Sequence, residues 1–143
     1  LRAQTGVLLS QQDIFQGTLW ENITMGNNEI SIEQIKDSAS KTGLNDFIAT
    51  LKDGYDTVLD PTGKRLPRNV VHRILLVRAL ANKPKLLLLE EPWLNFSNVH
   101  RRQIMQLLIE LKDITVIIVS NDEEFARMCS QVIELEENGT VKK

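Results

Sequence analysis

The chain has little of what builds cross-linked or metal-bound domains. Its one cysteine, Cys129, cannot close an internal disulfide, and its two histidines, His72 and His100, have no partner at metal-ligand spacing. A disulfide scaffold and a zinc site are excluded. Apolar runs are short: residues 86–89 and 116–119 fall far below the roughly 20 residues that a membrane helix needs. Aromatic residues make up 5% of the chain and are not interleaved with bases, so no base-stacking platform and no nucleic-acid partner is expected. Trp20, Phe47, Phe96 and Phe125 read instead as packing residues. An initiator Met and a signal-peptide pattern are also missing, and the sequence reads as an excised piece.

What is present is ordinary in amount. The chain has 143 residues, 42% hydrophobic and 25% charged, with 17 Lys+Arg against 19 Asp+Glu and a net charge of -2. That is one domain's worth of sequence with material for a buried core, and it is too apolar for a disordered chain. The small net charge conceals a split. Between residues 62 and 78 stand Lys64, Arg65, Arg68, Arg73 and Arg78 with no acid. Between residues 122 and 137 stand Asp122, Glu123, Glu124, Glu134, Glu136 and Glu137 against Arg127 alone. The basic stretch is suited to phosphate; equally, the two could be solvated faces that complement each other.

Local patterns alternate strands with helices. Residues 6–9 form a short apolar run that leads into polar 10–13. Ser31-Ile32-Glu33-Gln34 has the form of a capping box, and Gly43 is placed to end the helix it starts. A short helix fits residues 45–51, and Asp53-Gly54 and Asp60-Pro61-Thr62-Gly63 are turn signals. A helix from Pro67 carries Val70, Ile74, Val77 and Ala81 on one stripe. Residues 86–89 read as a strand buried on both faces. Ser97 or Asn98 caps a further helix, residues 114–119 form a β-branched strand, and Asn121 or Asp122 caps the last helix. Asn138-Gly139 signals a C-terminal β-hairpin between residues 132–135 and 140–141. The fold class predicted is α/β, with a mostly parallel sheet flanked by helices and a small antiparallel edge.

In open parallel sheets ligands bind beyond the carboxyl ends of strands. Those ends carry residues 10–13, Glu90-Glu91 and Ser120-Asn121-Asp122. A hydrophobic strand ending in two carboxylates suits a nucleoside triphosphatase, one carboxylate orienting magnesium and the next the attacking water. Alone, the pattern fits a solvated turn as well.

Order and spacing add to it. Gly17-Thr18-Leu19-Trp20-Glu21-Asn22-Ile23, then Asp46-Phe47-Ile48, Gly54-Tyr55-Asp56-Thr57, Gly63-Lys64-Arg65-Leu66, Arg73, Arg78-Ala79-Leu80 and Pro84-Lys85-Leu86-Leu87-Leu88-Leu89-Glu90-Glu91 together resemble the ATP-binding cassette of ABC transporters. The match extends over nearly the whole chain and is nearest to exporters, including those that secrete peptides or proteins. The resemblance implies a partial P-loop NTPase fold with a helical subdomain. It implies that residues 1–143 are the C-terminal part of one cassette, with 24–82 as the helical and signature subregion and 1–23 and 83–143 as the core sheet region.

It also implies roles. Glu91 matches the catalytic glutamate, and Glu90 stands where the family has its magnesium-associated aspartate. Counting back from Gly17 without a gap puts Ser10 at the usual Q-loop glutamine, with Gln11 one residue away; Gln11 is taken as the polar group toward magnesium and nucleotide. The signature Leu-Ser-Gly-Gly-Gln falls on Leu66-Pro67-Arg68-Asn69-Val70. Pro67 removes an N–H and a hydroxyl there, which leaves Arg68 and Asn69 as the nucleotide-facing candidates. Ser97 replaces the terminal D-loop aspartate and reads better as a helix cap. Asn121 falls on the switch histidine and can donate a hydrogen bond but carries no charge. No G-x-x-x-x-G-K-[ST] loop occurs in the chain.

The cofactors implied are ATP and Mg2+ in the complete domain, without tight binding by this fragment alone. The implied partners are a transmembrane domain and a second nucleotide-binding domain, and the implied location is the cytoplasmic face of a membrane, as in the bacterial inner membrane. Two other readings stand beside this one: a degenerate cassette that regulates or scaffolds, and a non-enzymatic α/β interaction domain.

Overall fold

The computed structural model describes residues 5–63 and 65–141. Lys64, counted above in the basic stretch, lies outside the described residues, as do residues 1–4. Strand β1 (Thr5–Leu8) is followed by β2 (Gly17–Thr18), α1 (Leu19–Thr24), α2 (Ile32–Thr42), α3 (Leu44–Ala49), a single 3-10 turn (Gly54–Asp56) and β3 (Val58–Leu59). Then come α4 (Arg68–Ala81), β4 (Leu86–Glu90), α5 (Asn98–Glu110), β5 (Thr115–Val119) and α6 (Glu123–Met128).

β1, β4 and β5 form a three-stranded parallel sheet in the order β1-β4-β5, with Val7 opposite Leu88 and Leu88 opposite Ile117. β2 and β3 make a separate antiparallel pair, Gly17 opposite Leu59. The C-terminal hairpin is closed by a single bridge, Leu135 to Val141, with the Gly139 N–H donating to the Glu136 carbonyl at 2.8 Å. Parallel pairing requires crossovers long enough to hold a helix, and α4 and α5 sit in them.

The helix ends follow local chemistry. Ser31 Oγ accepts from the Gln34 N–H while the Gln34 side chain accepts from the Ser31 N–H, and Gly43 ends α2 in the left-handed region at φ 80°. The same reciprocal cap starts α1, from Thr18 and Glu21, a helix that the local patterns above do not include. Ser97 caps α5 and Asp122 caps α6.

α4 is the centre of the molecule. The expectation of one buried stripe understates it: every residue from Val70 to Val77 is buried, because α1, α2, α3 and β1 pack around it. The approach to the sheet is close enough that a Cβ on Gly6 would lie 2.4 Å from the Ala79 carbonyl oxygen. β4 departs from expectation in the other direction. It alternates, with Leu87 and Leu89 buried and Leu86 and Leu88 half-buried, because only one face of the sheet is fully covered among the described residues. β5 is an edge strand on which Ile117 is 51% exposed and Val119 63%.

Candidate functional site

All three parallel strands point their carboxyl ends the same way, so the polar groups that follow them converge. At the centre, Glu90 ends β4 and its Oε1 accepts both the Ser10 N–H, at 2.9 Å, and the Ser10 hydroxyl. These bonds hold the Glu90 carboxyl below the usual carboxylate range. Glu91 leaves the strand with φ 44°, in the left-handed region that costs an L-residue roughly 1–3 kcal/mol. Its N–H donates to the Val119 carbonyl at 3.0 Å. Its carboxylate accepts from the Asn121 N–H at 3.0 Å and from Ser120 Oγ at 3.3 Å. The strained turn thus aims Glu91 across to the end of β5, while Glu90 faces the loop after β1.

That loop is fastened from two sides. The Leu9 carbonyl accepts from the Gln12 N–H at 3.0 Å, and Gln12 Oε1 accepts from the Leu9 N–H at 2.8 Å. Arg68, in the first turn of α4, donates Nη2 to the carbonyls of Ser10 (2.8 Å) and Gln12 (2.5 Å), and Nη1 stands 3.7 Å from Asp13 Oδ1. Ser10, at the position reached by counting without a gap, is therefore the residue brought onto Glu90; Gln11 is exposed at the tip of the turn. Asn69 is half-buried on α4, and Asn121 contributes its backbone to Glu91 while its side chain is exposed.

One turn further along α4, His72 is fully buried and neither ring nitrogen has a hydrogen-bond partner. Burial and the nearby Arg68 charge lower its pKa from 6.5, and the backbone of Ser10, close by without closing a bond, opposes this weakly. Arg73 lies 5.1 Å over the Phe96 ring with two of its nitrogens buried and unpaired. Arg78 donates Nε to the Asn22 carbonyl at 2.6 Å and lies 5.6 Å over Phe15. Asn22 in turn accepts from the Phe15 N–H and donates to the carbonyls of Phe15 and Thr18.

The basic stretch is accordingly not one solvated face. Arg68, Arg73 and Arg78 turn inward, onto carbonyls and rings. Asp122 and Glu124 of the acidic stretch are instead met by Arg101 of α5, at 2.8 Å and 2.9 Å, and Arg102 adds a third contact. The hydrogen bonds of Ser10, Ser120 and Asn22 and the burial of His72 were not assigned by residue-by-residue reading. Ser10 and Ser120 had a signal, their place just past strand ends; the Asn22–Arg78 link had only its place among the quoted motif pieces. Cys129 is half-buried, donates to the Phe125 carbonyl at 3.3 Å and has its pKa raised by burial, so it is no thiolate.

Among the described residues no group of three His, Cys, Asp or Glu stands close enough to cage an ion. Magnesium in phosphate sites needs only one or two carboxylates beside phosphate and water oxygens, and Glu90 keeps Oε2 free of donors from the described residues. The donor set suits an ion that arrives with a phosphate.

The fold defines a class: an α/β protein with a partial P-loop NTPase fold of ATP-binding-cassette type. No family model matches the chain. It is 31% identical over 137 residues to a probable ABC transporter ATP-binding/permease protein of Haemophilus influenzae, covering 95% of this chain and 25% of that protein. It is 29% identical over 144 residues to the alpha-hemolysin translocation ATP-binding protein HlyB of Escherichia coli, covering 100% of this chain and 20% of that one. A solved bacterial Atm1-family ABC exporter with ATP bound matches with a TM-score of 0.72 and 25% identity, over 84% of this chain and 21% of that chain. The chain is homologous to ABC exporter proteins and spans a quarter or less of their length. No helix among the described residues is long and apolar enough to cross a membrane.

Proposed function

We propose that the chain is part of an ATP-binding cassette that couples ATP binding and hydrolysis to export across a membrane. The observation that carries this reading is the pair Glu90-Glu91 at the carboxyl end of the central strand, with Glu91 held in a strained left-handed conformation and aimed away from Glu90. The homology to ATP-binding exporter proteins supports it.

Glu91 accepts a proton from, and orients, the water that attacks the terminal phosphate. Glu90, with Gln11 on the adjoining turn, would hold magnesium, which when bound supplies neutralising charge to the phosphates. Asn121 would face the phosphate beside Glu91, and the first turn of α4, at Arg68 and Asn69, would face nucleotide held by the second cassette. The transmembrane part of the exporter and a second cassette are the partners, and the cytoplasmic face of a membrane is the location.

ATP turnover of the complete protein tests the reading. Glu91→Gln keeps size and removes the base, and the rate is expected to fall roughly 10²-fold or more. A wild-type protein that turns over ATP at the same rate as Glu91→Gln removes Glu91 from the mechanism.

A further inference from the structure

The junction of α4 with the loop at residues 9–13 contains a group that catalysis does not use. Arg68 holds the loop by two carbonyls, and His72, one helical turn below on the same helix, is buried beneath with both ring nitrogens unpaired. Four residues apart, the two side chains share a helix face. A neutral imidazole is tolerated there as a packing residue. An imidazolium would be a buried cation beside the half-buried Arg68 guanidinium, with no carboxylate among the described residues bonded to it.

The surroundings bear this out group by group. β1 carries no charged residue. Glu90 of β4 is committed to Ser10, and Asp13 of the loop stands on Arg68. On the helices packed against α4, Glu21 of α1 is bound to Thr18, Asp37 and Lys41 of α2 pair at 2.9 Å, and Asp46 of α3 acts on Arg73. Among the described residues Arg68 is the charge that lowers the His72 pKa, and the Ser10 backbone opposes it.

We propose that Arg68 and His72 form a pH-sensitive latch that fastens the loop at residues 9–13 to α4 while His72 is neutral and releases it when His72 takes a proton. Release of the loop withdraws Ser10 from Glu90, so the latch also sets how much of that carboxylate is covered by the protein. The inference rests on the chain's own contacts and stands whether or not nucleotide binds.

The sign follows from linkage. With the loop latched, His72 titrates below 6.5; with the loop open and the ring wet, it returns to 6.5. The latch is therefore complete above that value and weakens as pH falls through it, by up to about tenfold for each pH unit below, until the latched ring itself titrates. Glu90, held low by Ser10, remains a carboxylate through this window.

Amide hydrogen exchange on the full chain, corrected for the intrinsic pH dependence, reads the latch directly. Between about pH 7.5 and about pH 5.5, the protection of the Ser10 and Gln12 amides is expected to fall, by at most roughly tenfold, while Leu87 and Leu89 in β4 hold theirs. His72→Leu, which keeps apolar volume and cannot titrate, should abolish the pH dependence. Three results overturn the proposal: unchanged loop protection in the wild type, the same fall in His72→Leu, or an equal fall in β4, which would mean global unfolding. Should His72→Leu not fold, NMR titration of the His72 ring in the wild type decides, and an ordinary pKa near 6.5 rejects the latch.

Discussion

At the scale of single residues, the site depends on what surrounds each carboxylate. Glu90 and Glu91 are adjacent and chemically alike, yet Glu90 is capped by one serine after β1 while Glu91 is turned by its backbone toward another after β5. The Ser10 hydroxyl is the largest influence on Glu90, ahead of the Ser10 N–H. Ser10→Ala should move the Glu90 carboxyl up toward 4.5, which a carboxyl-carbon NMR titration would read. Because the folded value is depressed, the stabilisation this bond contributes is present above the ordinary value and is lost as pH falls through the folded one. Ser10→Ala should therefore show a smaller loss of stability on acidification than the wild type. Much of this was legible: the two carboxylates and the polar groups past each strand are plain in the sequence. Their pairing was not, since Ser10 and Glu90 are far apart in the chain and a side chain's partner depends on strand order and register.

At the scale of elements, helix ends were the most legible features because capping is local. The Ser31 to Gln34 box and the Gly43 stop form as their residue types dictate. Ser31→Ala should cost about 1 kcal/mol in a urea titration, and Ser31→Asp much less. α1 was overlooked although Thr18 and Glu21 form the same box, because six residues give too short a run for periodicity to register. For α4 the apolar spacing located the helix but not its burial. Arg73, His72 and Arg78 interrupt the pattern and look like a polar face, whereas the fold covers His72 and Arg73 and ties Arg78 to Asn22. The acidic start of α6 reads as a macrodipole preference, and in the fold Asp122 and Glu124 also bind Arg101, linking α6 to α5.

At the scale of the whole molecule, the sheet is lopsided. β4 is central and paired on both sides, but among the described residues β5 pairs only with β4 and exposes Ile117 and Val119. Thr115–Val119 carries no charge and no proline, so it lacks the usual devices that keep an edge from pairing with another chain. The chain is expected to associate in a concentration-dependent way, visible by sedimentation or light scattering. Ile117→Lys should reduce association while changing stability by no more than about 0.5 kcal/mol, since the position is exposed.

The sequence by itself determined the α/β class, the helix caps, the two strand-end carboxylates and the resemblance to exporter cassettes, because each rests on short-range chemistry or on motif order. The tertiary structure alone decided, among the described residues, that Arg68 turns into its own chain, that Ser10 caps Glu90, that the His72 ring is buried with neither nitrogen hydrogen-bonded and that β5 lies at an edge. Those are facts about which distant segments meet. Charge and burial are properties of the neighbours a fold supplies, and no stretch of sequence carries its neighbours with it.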